Sequence, residues 1–131
     1  MNNQFTNFQT KKKYDLEERT AVFAEEIIDL MKKLPRNSIN QRLIPQLVGS
    51  GGSMGANYCE ANEAESKRDF QHKIGICKKE TKESKHWIRL LAKANPAFKD
   101  EFRELWQEAQ ELLLIFSKIL KSCRKKEKIV N

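Results

Sequence analysis

Lys78, Lys82, Lys85 and Arg89 are separated by 4, 3 and 4 residues, the steps that return to one face of an α-helix. Four cations on one face about 17 Å long can hold a nucleic-acid backbone through its phosphates, with no base contact required. A second set, Lys121, Arg124, Lys125 and Lys126, crowds the end of the chain and would extend the same footprint. The pattern fits equally a solvated face whose cations pair with acidic helices, within one subunit or between two. Trp87 is the one aromatic residue interleaved with the ridge, so base stacking on single strands has little support.

The segment Ser50-Gly51-Gly52-Ser53-Met54-Gly55-Ala56-Asn57 invites a different chemistry, the cradling of a phosphate by a glycine-rich loop. A P-loop needs Gly-x-x-x-x-Gly-Lys-Ser/Thr, and no lysine follows these glycines. Inside a helix each glycine costs roughly 1 kcal/mol relative to alanine. Close helix packing would offset that. Gly51 and Gly55 are four apart, as are Gly52 and Ala56, so small residues would line one side and admit a neighbouring backbone. Ser53 and Asn57 are expected to hydrogen-bond across that contact.

No catalytic constellation emerges. His72 and His86 lie 14 residues apart, about 21 Å along one helix, so they cannot share a metal ion. There is no Cys-x-x-Cys, His-Glu-x-x-His or Glu-x-x-His pattern to hold zinc or a di-iron centre. Cys77 falls on an apolar stripe and reads as an inert buried thiol. The expectation is a non-enzyme without metal or cofactor.

The elements that must position these residues follow from apolar spacing. Leu16, Thr20, Phe23, Ile27, Leu30 and Leu34 form one helical stripe, stopped by Pro35. Ser38 to Gln41 has the form of a capping box, and Leu43, Leu47, Gly51, Met54, Tyr58 and Ala61 continue a second stripe. Pro45 either kinks that helix or starts it. A third stripe runs through Phe70, Ile74, Cys77, Thr81, Ser84, Ile88 and Leu91. Asn95-Pro96 ends it, and Phe98, Phe102, Leu105, Ala109, Leu112, Phe116, Ile119 and Cys123 make a fourth. No window alternates with period two. Four such helices with short connections predict an all-α, antiparallel up-down-up-down four-helix bundle. The bundle is expected over residues 14–125, after a flexible basic tail at 1–13 and before a frayed tail at 126–131.

Composition sets the limits. The 131 residues suit one domain, and 33% of them are charged. The longest apolar run, Leu112 to Phe116, is far short of the ~20 residues that span a bilayer. No basic-then-apolar leader opens the sequence, and three widely spaced cysteines do not form a disulfide framework, so a cytoplasmic protein is expected. The net charge of +7 favours polyanionic partners. It is unevenly spread. Residues 66–94 carry nine Lys or Arg against three Asp or Glu, whereas residues 15–34 carry three against six. Trp87, Leu90, Trp106 and Leu113 lie off the core stripes and exceed what one narrow apolar seam needs. Their natural use is self-association.

Several blocks resemble a known family. They are Leu47-Val48-Gly49-Ser50-Gly51-Gly52-Ser53-Met54-Gly55-Ala56-Asn57, then Glu60-Ala61-Asn62-Glu63-Ala64-Glu65-Ser66-Lys67-Arg68-Asp69-Phe70, and Trp87-Ile88-Arg89-Leu90-Leu91. They resemble the bacterial proteins encoded within intervening sequences of large-subunit rRNA genes. The accessory variability protein of diversity-generating retroelements is a more distant relative. Gly52 departs from the pattern, which usually has threonine there. The resemblance implies a left-handed four-helix bundle assembled as a homopentamer, with no known enzymatic activity. The leading expectation is therefore an oligomeric helical protein binding nucleic acid, structured RNA above all, by phosphate contacts. The competing one is an interaction scaffold that docks an acidic partner protein or a reverse transcriptase.

Overall fold

The computed structural model describes residues 15–130, with side chains from 15 to 126; the tail expected at 1–13 lies outside the described residues. The first three helices each begin where a short polar side chain caps them. Asp15 accepts from the Glu18 N–H at 3.1 Å and opens α1, Leu16–Lys33. Acidic Glu17 and Glu18 sit in its first turn and Lys32 and Lys33 in its last, both favourable to the helix dipole. Asn37 accepts from the Asn40 N–H at 2.8 Å and opens α2, Ser38–Asn62. The cap is thus Asn37 and not Ser38, because the asparagine carbonyl already reaches that N–H. Pro45 lies inside α2, which runs on without interruption. Gln41 and Pro45 both face solvent, where water can satisfy the carbonyl that loses its donor. Ser66 accepts from the Asp69 N–H at 3.0 Å and opens α3, Lys67–Ala94. A 3-10 turn at Pro96–Phe98 leads into α4, Lys99–Val130. The helical backbone of α4 continues through Val130, most of the stretch expected to fray.

Each helix packs against the next in sequence, and α4 returns to α1. The result is a four-helix bundle with no strand among the described residues. Phe23, Ile27, Leu47, Met54, Ile74, Ile88, Leu91, Phe102, Leu112 and Phe116 fill its core. All of them come from the four stripes that the spacing marks out. The polar residues inside are satisfied. Thr20 and Thr81 donate to the carbonyls of Leu16 and Cys77, each at 2.7 Å. Ser50 and Ser84 share a hydrogen bond of 2.8 Å between α2 and α3. Asn40 and Asn95 exchange two amide bonds of 2.9 Å, tying the α1–α2 turn to the end of α3.

One buried contact had no signal in the apolar spacing. Arg19 on α1 makes a bidentate pair with Glu108 on α4, both bonds 2.9 Å and both residues 8% exposed. Glu111 stands 3.6 Å from the same guanidinium. The partners are 89 positions apart, a separation at which no periodicity argument operates.

Candidate nucleic-acid interface

The basic ridge is more orderly in space than the sequence implies. The line on α3 most open to solvent is Arg68, His72, Gly75, Lys79, Lys82, His86, Arg89 and Lys93, at steps of 4, 3, 4, 3, 4, 3 and 4. Every position is Arg, Lys or His except Gly75, and every one but Gly75 is exposed. The line is about 38 Å long with a residue every ~5 Å. Lys79, Lys82, Arg89 and Lys93 form no ion pair among the described residues.

Lys82 and Arg89, expected on the ridge, are on this line. Lys78 flanks it, half-buried on the side toward α4. Lys85 is diverted. Its ammonium donates to the Gln110 side chain on α4 and lies 4.4 Å from the centre of the Trp106 ring. It holds the α3–α4 seam and is largely spent there. Lys121, Arg124, Lys125 and Lys126 are exposed, on the last turns of α4. Arg68, Lys79 and Lys93 were absent from the expected set, although the same 4-3 spacing connects them. The ridge as read from sequence was rotated by a fraction of a turn toward α4, because nothing in the sequence said where α4 would lie.

The small-residue block divides in two. A Cβ on Gly51 would stand 2.5 Å from the Ile27 side chain, and one on Gly55 would stand 3.0 and 3.2 Å from Thr20 Oγ1 and Cβ. These glycines bring α2 close to α1. Gly52 and Ala56 do not share that contact: both are exposed, and nothing lies within 4 Å of a Cβ placed on Gly52. Asn57 donates to the Ser53 carbonyl at 2.8 Å and to its hydroxyl at 3.2 Å, a bond within α2 and not across it. The side chains are four apart on one helix, so the nearer partner takes the amide.

Of the residues expected at an interface between copies, Trp87, Leu90 and Leu113 are half-buried. Trp106 is 38% exposed and Leu114, eight residues further along α4, is 59% exposed. Between α1 and α4 the surface is mainly acidic: Glu26, Asp29, Glu101 and Glu104, with Lys33, line a shallow cleft of about 270 Å³. Burial pushes the Cys77 thiol up to about 12, and it donates to the Met54 carbonyl at 3.4 Å, so it carries no thiolate at neutral pH. Among the described residues no three His, Cys, Asp or Glu side chains gather to hold a metal ion. No helix among them is long and apolar enough to cross a membrane.

The chain is similar to proteins already grouped by sequence and by structure. A family model described as 23S rRNA-intervening sequence protein matches residues 12–128. A crystal structure of a protein of unknown function from the S23 ribosomal protein family of Bacteroides thetaiotaomicron VPI-5482 superposes with a TM-score of 0.71 at 27% identity. That match covers 80% of this chain and 97% of the other. No curated protein sequence matches. A family match over nearly the whole described bundle, with a shared fold beside it, settles the grouping: the chain belongs to the 23S rRNA-intervening sequence protein family.

Proposed function

We propose that this is a non-catalytic, cytoplasmic helical protein that binds structured RNA through the basic line on α3. The observation that carries the reading is the run of Arg, Lys and His positions on the exposed face, interrupted only by Gly75. Cations without intramolecular partners keep their full attraction for a polyanion. Contacts made by Lys and Arg to phosphates are specific for charge and shape and carry little base information.

The proposed topology is an antiparallel up-down-up-down bundle of left-handed twist. Contacts between α2 and α3 support the direction: Asn40 meets Asn95, Ser50 meets Ser84, and Lys73 lies 3.5 Å from Glu60. The numbering falls along one helix as it rises along the other. The proposed assembly is a homo-oligomer, a pentamer by family resemblance. Exposed Trp106 and Leu114 on α4 support it, and a ring would repeat the basic line and add avidity.

The triple change Lys79→Glu, Lys82→Glu and Arg89→Glu tests the RNA reading. Helicity by circular dichroism and mass by light scattering should be retained. Binding of a hairpin RNA should be lost at moderate salt, while the unaltered protein binds with a steep salt dependence. Equal affinity of the two proteins, or no binding by either at low salt, would refute it.

A further inference from the structure

Gly75 is the odd member of the α3 line. It sits mid-helix, its φ is not positive, and no atom lies within 4 Å of a Cβ built on it. Neither backbone conformation nor packing within the subunit accounts for a residue that weakens a helix. Gly51 and Gly55 have such an account in the approach of α1. Beside Gly75 lies a shallow, open depression of about 350 Å³, lined by Gly75, Lys78, Lys79, Lys82 and Glu83. Helical side chains tilt toward the N-terminus, so Lys78 and Lys79, three and four residues on, lean back over Gly75. Glu83 closes the opposite end and repels an anion there.

We infer that the notch at Gly75 is a phosphate seat, in which one phosphodiester group of a bound RNA backbone enters against the helix and is held by Lys78, Lys79 and Lys82. This rests on the RNA reading above and makes it specific. Most of the line attracts the backbone at the length of a lysine or arginine side chain. At Gly75 alone the backbone can come in to the helix surface. A seat of this kind fixes the register of the RNA along α3, where an even row of cations would let it slide.

The test is Gly75→Gln. Glutamine is uncharged and favours the helix, its Cβ meets nothing within 4 Å, and the rest of its side chain would stand in the depression among the lysines. The melting temperature should rise. Affinity for a hairpin RNA of about 16 base pairs should fall roughly threefold to tenfold, and the slope of log affinity against log salt should become shallower by about one. An unchanged affinity and slope in a variant of raised melting temperature would overturn the seat and leave the RNA reading standing. A change of assembly mass in light scattering would also overturn it, since Gly75 would then be a packing contact between copies. Failure of the unaltered protein to bind RNA at low salt would overturn seat and reading together.

Discussion

The side of the bundle facing α1 and the outer face of α3 are built on opposite terms. On the first, every group that could cause trouble has a partner. Arg19 is gripped by Glu108, Thr20 donates to Leu16, and Gly51 and Gly55 are small because Ile27 and Thr20 come close. On the second, Lys79, Lys82, Arg89 and Lys93 form no ion pair among the described residues, and the Cβ position of Gly75 is open. The same residue types therefore carry different meanings. A glycine or an arginine whose cost is offset inside the subunit is architecture. Gly49 and Gly52 also stand in open space, so at Gly75 it is the lysines around the depression that point to something outside the subunit.

The contrast breaks most sharply at Glu108. Glu108→Ala leaves the Arg19 guanidinium buried without its bidentate partner, and losses of about 3–5 kcal/mol follow from an uncompensated buried charge. Glu111, 3.6 Å away, can swing in, so the lower end of that range is expected. Chemical denaturation of the variant measures it. The double change Arg19→Met with Glu108→Leu should recover most of the stability, since well-packed apolar replacement of a buried pair is near neutral. A single variant as stable as the unaltered protein would show that the pair contributes nothing to the fold.

Gly55→Leu comes next. Thr20 cannot easily retreat, because its hydroxyl bonds the carbonyls of Leu16 and Glu17 at 2.7 and 3.1 Å and its branched side chain is stiff. Overpacking there should destabilise by about 1–3 kcal/mol. Gly52→Ala on the open face of the same helix should instead stabilise by about 0.4–1 kcal/mol. Thermal melts of both variants side by side read the sign directly. Two losses of equal size would mean that the open face of α2 is packed against a second copy.

What the sequence could reveal follows the same division. The four stripes and the break at Asn95-Pro96 are local, and periodicity exposes local features well, whereas the cap read at Ser38 lies one residue earlier at Asn37. The Arg19–Glu108 pair, the Asn40–Asn95 exchange and the diversion of Lys85 to Trp106 each join residues of different helices. They depend on the rotation of one helix against another, which a repeat of 3.6 residues does not encode. The candidate site was legible as a basic face of α3. Its centre line was not, because Lys78 and Lys82 fit the spacing as well as Lys79 and Lys82 do, and only the position of α4 separates them.

The smallest effect expected lies at the boundary of the two regions. Glu80, half-buried on α3, has its carboxyl pushed above the ordinary range by desolvation, then by the charge of Glu83 and by a hydrogen bond to it, while Lys79 acts in the opposite sense. An acid whose affinity for the proton is greater in the folded state than in the unfolded state contributes stability at low pH. That contribution is full below the unfolded value and is lost as pH rises through the folded one. At neutral pH the ionised Glu80 is therefore a small burden on the fold. Glu80→Gln removes both its charge and its desolvation, and a gain of up to about 0.5 kcal/mol is expected at pH 7. The gain should shrink as the pH is lowered through the carboxylate range, because the unaltered side chain is then protonated as well. The same change removes one negative charge from the neighbourhood of Lys79 and Lys82, so RNA affinity should rise slightly while the salt slope stays constant. A loss of stability at pH 7 that persists in acid would place Glu80 among the satisfied residues of the interior and move the boundary outward on α3.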